Sequence, residues 1–264
     1  MQKFLVSGHG SRLFGLKALV GLAVVAAPAV MAAPQLIDLG AGLQSTLNTS
    51  GIGTKIGDIA VNNSGQVAGT LSIGALPRGV YMTAADGYTR HAIPFYAADA
   101  LTVRPTQAWD ISNNGLVALY EQYGAYGVAL TYSIGSAAPV RAGAGNGSSQ
   151  AGVIEIPYAL NDLGTAVGAK ETSSSLAQAA AFSGGSTIDL GQVPGKATIA
   201  LAANSSGTAV GWAYSNLQDH AFVYTTAGGV ADLGDVFGWS HAWATSINDA
   251  GTVAGTAYDP TAKA

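Results

Sequence analysis

Short runs of alternating apolar and polar residues, broken at regular intervals by Asn, Gly and Ser, dominate this chain after its first forty residues. Alternation with period two is the mark of strands with one face buried. The 10–15-residue amphipathic stretches that a helical repeat needs are missing. One pattern recurs five times: an apolar lead-in, a four-residue turn ending in Gly, then a short strand. It reads Ile59-Ala60-Val61-Asn62-Asn63-Ser64-Gly65-Gln66-Val67-Ala68-Gly69 in its first copy and Ser246-Ile247-Asn248-Asp249-Ala250-Gly251-Thr252-Val253-Ala254-Gly255 in its last. The intermediate turns run Ser112 to Gly115, Asn161 to Gly164 and Asn204 to Gly207, so the turn glycines are Gly65, Gly115, Gly164, Gly207 and Gly251.

The residue types follow from turn geometry. Asn at the first turn position bonds the backbone two residues on, and Gly at the fourth takes positive φ at little steric cost. Asn62, Asn161, Asn204 and Asn248 with the five glycines are therefore structural turn residues. Two more strands fall within each period. One is exemplified by His220-Ala221-Phe222-Val223-Tyr224, and the other ends in Asp-Leu-Gly, as at Asp38-Leu39-Gly40, Asp189-Leu190-Gly191 and Asp232-Leu233-Gly234. Four short strands in a period of 40–50 residues predict an all-β, β-propeller-like array of about five four-stranded repeats. The strand expected to follow Thr252–Tyr258 is not in the sequence, which leaves ring closure open.

The opening residues have a different character. Lys3, Arg12 and Lys17 precede an apolar run from Ala18 to Ala33, with small residues around Ala32. This reads as a signal peptide over 1–32, followed by a repeat domain over 33–264. The run is shorter than the roughly 20 residues of a spanning helix, so no membrane span is expected after cleavage. Cleavage removes three cations and no acid, moving the net charge from −4 to −7. A mildly acidic chain with no basic stripe argues against nucleic acid as a partner. The chain has no Cys, so no disulfide or thiolate chemistry is available to it.

His220-Ala221-Phe222, with the Asp-Leu-Gly and Ile-Asn-x-x-Gly-x-Val-x-Gly elements around it, resembles the HAF-repeat family of extracellular bacterial proteins. The resemblance covers about residues 35–258 and is closest over 187–258; the second and third repeats share only the turn and strands. It implies secretion, or display at the cell surface, and a repeat fold. It brings no catalytic residues.

Candidate chemistry is sparse. The mature part holds His91, His220 and His241, none at a metal-ligand spacing, and no nucleophile elbow or phosphate loop occurs. Gly143-Ala144-Gly145-Asn146-Gly147 reads as a plain loop. Asp162 and Asp249 sit in turns and read as turn formers, one acid per turn being too few for calcium. No catalytic residue, metal or cofactor is expected. The acid pairs Asp110 with Glu121 and Asp232 with Asp235 are the ones a glycosidase would need. Phe237, Trp239, His241 and Trp243 occupy alternate positions and would share one face of an extended strand, where they could stack on a sugar or fill the space between repeats. Trp109, Tyr120, Tyr123 and Tyr126 form a second, weaker aromatic group. The sequence therefore predicts an exported non-enzymatic module whose partner is a glycan or another surface protein, with a polysaccharide-processing enzyme as the alternative.

Overall fold

The computed structural model describes residues 59–73, 76–96, 104–145, 153–172, 175–214, 219–238 and 241–258, together with three short strands nearer the start: β1 (Phe4–Val6), β2 (Leu22–Val25) and β3 (Gln35–Asp38). Apart from β1 and β2, the expected signal peptide lies outside the described residues.

From residue 59 onward the chain runs as successive antiparallel meanders. The first comprises β4 (Ile59–Val61), β5 (Val67–Ile73), β6 (Leu76–Met82) and β7 (His91–Ala92). The second comprises β8 (Thr106–Ile111), β9 (Leu116–Tyr123), β10 (Tyr126–Ser133) and β11 (Val140–Arg141). The third is β12 (Val153–Leu160), β13 (Ala166–Thr172), β14 (Ser175–Ser183) and β15 (Ser186–Gly191). The fourth is β16 (Ala197–Ala203), β17 (Ala209–Tyr214), β18 (Asp219–Thr225) and β19 (Gly229–Asp232), after which one turn of helix, α1 (Leu233–Phe237), leads to a hairpin of β20 (His241–Ile247) and β21 (Val253–Tyr258). The molecule is all-β. Neighbouring meanders touch edge to edge through single residue pairs, Gly127 with Ile154 and Asp219 with His241.

The core lies in layers between successive meanders. Ala68, Ile93, Ala108, Leu119 and Leu130 fill the first layer, and Val167, Ala179, Ala200, Ala209 and Phe222 contribute to the third. In the second layer five of the seven buried residues are Ala, which gives the abundant alanine a purpose: small side chains let sheets approach closely without voids.

Four of the five first strands, β8, β12, β16 and β20, carry the same irregularity. Their register with the second strand slips between Ala108 and Asp110, Pro157 and Ala159, Ala200 and Ala202, and Ala244 and Ser246. These β-bulges turn out one extra residue, in order Trp109, Tyr158, Leu201 and Thr245. The second Gly of the repeated pattern stands across from the bulge. A Cβ on Gly168, Gly211 or Gly255 would lie 1.8, 2.0 or 2.0 Å from the carbonyl oxygen of Ile156, Ile199 or Trp243, so no side chain fits there.

Candidate functional site

The five turns sit together at one end of the first strands, and their geometry explains the choice of Asn. In each turn the Gly N–H donates to the first residue's carbonyl at 2.9–3.2 Å, and the Gly φ lies between 71° and 83°. The Asn Oδ1 accepts from the backbone of its own turn, as from Leu163 and Thr165 at Asn161. Its Nδ2 does something the sequence reading missed. Asn62 donates to the Ser112 carbonyl at 2.9 Å, Asn161 to Asn204 at 3.0 Å and Asn204 to Asn248 at 3.1 Å. One amide thus closes its own turn and ties it to the next. Asp could do only the first, since its carboxylate lacks a donor.

Ser112 cannot reach the next repeat in this way, and there the second turn position takes over. Asp162 accepts from the Asn113 backbone N–H and Nδ2, both at 2.8 Å. Asp249 accepts from Ser205 N–H at 2.8 Å. The turns at 161–162, 204–205 and 248–249 line an open depression of about 260 Å³. Its two carboxylates are the latch residues just described, and no group of three or more His, Asp or Glu gathers among the described residues to hold a metal.

Other acids are bound into the fold. Glu121 and Glu155 are fully buried. Glu121 accepts from Tyr96 N–H at 2.9 Å and faces Arg104 at 3.4 Å. Glu155 accepts from Gly145 N–H at 3.0 Å and from the Thr187 hydroxyl at 2.5 Å. A Cβ at Gly143 or Gly145 would run into the Glu155 carboxylate, so the Gly-rich segment is shaped around the chain's own anion. Asp110 accepts from Ile111 and Leu160 N–H groups. Asp110 pairs with Ala118 and Glu121 with Thr106, three residues or about 10 Å apart along β9, and each carboxylate is taken up by main-chain N–H groups of its own surroundings. Asp232 accepts from Gly234 N–H and lies 2.7 Å from His220 Nδ1, whose ring occupies the space a Gly234 side chain would need. The Asp235 side chain lies outside the described residues.

Beyond the turns, along the first and second strands, the molecule has another character. Trp109, Tyr120, Tyr158, Ala169 and Ile199 form a buried cluster, with Ile154, Ile156, Leu201, Trp212 and Tyr214 packed against it and half-buried. Two of its members are the bulge residues Trp109 and Tyr158, which meet edge to face with ring centres 5.0 Å apart. Trp212 and Tyr214 tilt against each other at 4.7 Å. The indole Nε1–H groups of Trp109 and Trp212 are buried without a hydrogen-bond partner. Glu171, half-buried near the end of β13, extends the face that carries Val167 and Ala169. Burial pushes its carboxyl above the usual range. Burial, then the nearby Glu171 charge, pushes Tyr120 up to about 12 and raises Tyr158 and Tyr214. Five aromatic rings, one under-solvated carboxylate and two unanswered donors therefore meet across three meanders. Of these the sequence pointed only to Trp109 and Tyr120. Glu171 stands out in the sequence only as one of three glutamates, and nothing there marks Tyr158, Trp212 or Tyr214 beyond the alternation of Trp212 and Tyr214 on one strand. Tyr123 and Tyr126 stack on each other across their hairpin.

The expected stripe Phe237, Trp239, His241 and Trp243 is not one strand. Phe237 ends α1, Gly238 follows at positive φ, and β20 begins only at His241. The helical turn breaks the two-residue period, so Phe237 does not continue the face of His241 and Trp243. Trp239 lies outside the described residues. His241 and Trp243 are half-buried at the start of β20.

No family model and no curated protein matches the chain. Among solved structures it is similar to a putative TolB from Agrobacterium tumefaciens, with a TM-score of 0.53 and 13% identity over 76% of this chain and 69% of that one. TolB from Acinetobacter baumannii (TM-score 0.46, 15% identity, 65% of this chain) and a puromycin-hydrolyzing peptidase from Mycobacterium tuberculosis (0.42, 16%, 66% of this chain) also match. The chain spans 41% of the Acinetobacter protein and 28% of the peptidase. The Agrobacterium likeness speaks for the fold alone, which is β-propeller-like. No helix among the described residues is long and apolar enough to cross a membrane.

Proposed function

We propose that this chain is an exported, non-enzymatic binding module: an array of about five repeats that holds a glycan at the aromatic cluster of its first and second strands. One observation carries the reading, the gathering of Trp109, Tyr120, Tyr158, Trp212 and Tyr214 around Glu171 with two indole donors left without partners. Buried polar groups are ordinarily satisfied, and aromatic faces stack well on sugar rings, so such a site is matched to a ligand that brings both acceptors and a flat apolar surface. The Asn turns are occupied in joining repeats. Export rests on the leader over 1–32 and on the resemblance to HAF-repeat proteins.

The test is binding of the exported chain to a panel of neutral and charged polysaccharides, beside Trp212→Ala, with the mass of the recovered chain read at the same time. Binding that weakens at least tenfold in Trp212→Ala, on a chain beginning at Ala33, is the expected result. A folded chain that binds nothing on the panel, or binds equally well without Trp212, overturns the glycan reading. An intact leader on the recovered chain overturns export by cleavage.

A further inference from the structure

Resting on that reading, we infer that the ligand is a cationic amino sugar, its ring on the Trp212–Tyr214 pair and its ammonium against Glu171. Three features select this chemistry. Glu171 stands on β13 opposite Ile154, which packs on the aromatic cluster, and no ion pair among the described residues engages it; half-buried there, it is a carboxylate partly withdrawn from water. A charge held in this way gains most from a counter-ion that arrives with the ligand. The surrounding rings attract cations through their faces, so ring and carboxylate act on the same group. The unanswered Nε1–H groups of Trp109 and Trp212 call for acceptor oxygens, which sugar hydroxyls supply and a bare alkylammonium lacks. The acidic balance of the chain, −4 overall, favours the approach of a cation over an anion.

Calorimetric titration of the exported chain with a β-1,4-linked glucosamine tetramer, its fully N-acetylated counterpart and choline decides the matter. The expected result is a glucosamine tetramer bound about tenfold or more tightly than the acetylated one. Glu171→Gln should erase that preference and Trp212→Phe should weaken both sugars, while Asp86→Asn, which removes an exposed acid elsewhere, should change neither. Equal binding of the two tetramers, still dependent on Trp212, overturns the amine inference and leaves the glycan reading standing. Choline binding without sugar binding overturns the sugar. An effect of Asp86→Asn as large as that of Glu171→Gln shows diffuse attraction of a polycation and overturns the site. No binding of any probe by a chain with native far-ultraviolet circular dichroism overturns both.

Discussion

At the turns each joint is made from a few atoms recurring at offsets of 50, 49, 43 and 44 residues; at the bulge, three residues before each of the last four turns, no two repeats present the same side chain. The bulge position is Trp109, then Tyr158, Leu201 and Thr245, although the backbone there slips in the same way each time. One skeleton thus carries two regimes. Where atoms must meet between repeats, residue type is dictated and the repeat persists. Where the skeleton offers a position without dictating its occupant, the copies have diverged and a single asymmetric cluster has formed. The contrast separates groups that hold the fold from groups that are free to do something else.

The strongest way to break it is at the bulge glycines. Gly211→Ala puts a methyl against the Ile199 carbonyl, and chemical denaturation should show a loss of about 1–3 kcal/mol or more. Next come the amides. Asn204→Asp keeps an acceptor for its own turn but loses the donor to Asn248 and sets a carboxylate against that carbonyl. Its cost should be about 1–3 kcal/mol, easing at low pH, where the added acid is protonated and regains a donor. Ser112→Asn runs the other way. It restores the missing amide toward the Asn161 carbonyl and should add about 0.5–1.5 kcal/mol to the unfolding free energy.

These effects also mark what could be read without coordinates. The turns were legible because Asn at the first position and Gly at the fourth act within four residues. The second Gly was visible as a pattern, but its cause is a carbonyl of the partner strand at a bulge, which no local rule announces. The amide's reach to the next turn was hidden for the same reason. The aromatic cluster draws on residues from 109 to 214, so its members become neighbours only when three meanders pack. The stripe at 237–243 was misread because alternation was taken to mean strand, while α1 lies across its start and the true strand opens at His241.

Smaller effects sharpen the other side of the contrast. Glu171 has its folded-state pKa raised by burial, so the native chain keeps this proton at pH values where the unfolded chain has lost it. Its contribution to stability is then full below the ordinary carboxyl range, near pH 4, and declines as pH rises through the raised value. Glu171→Gln should flatten that decline, read from urea midpoints taken between about pH 4 and pH 7. The smallest change belongs to Trp212→Phe, which deletes an unanswered donor along with some packing. Stability should move by less than about 1 kcal/mol, although binding suffers, as expected of a residue the fold does not need.

The amide latch between turns, unlike the carboxylate one at Asp162 and Asp249, runs one way: the donor is a side chain of one repeat, the acceptor a main-chain carbonyl of the next. Mutation can erase the first but never the second, since every amino acid carries that oxygen. Ser112 has lost the power to give and still receives from Asn62. A gene segment encoding one such unit, copied in tandem, would yield a protein whose new seam is competent from the start, because each copy brings its own donor and finds an acceptor already waiting. Wherever the amide makes the seam, inherited change can then erode a unit's side chains without removing the acceptor that the unit before it uses.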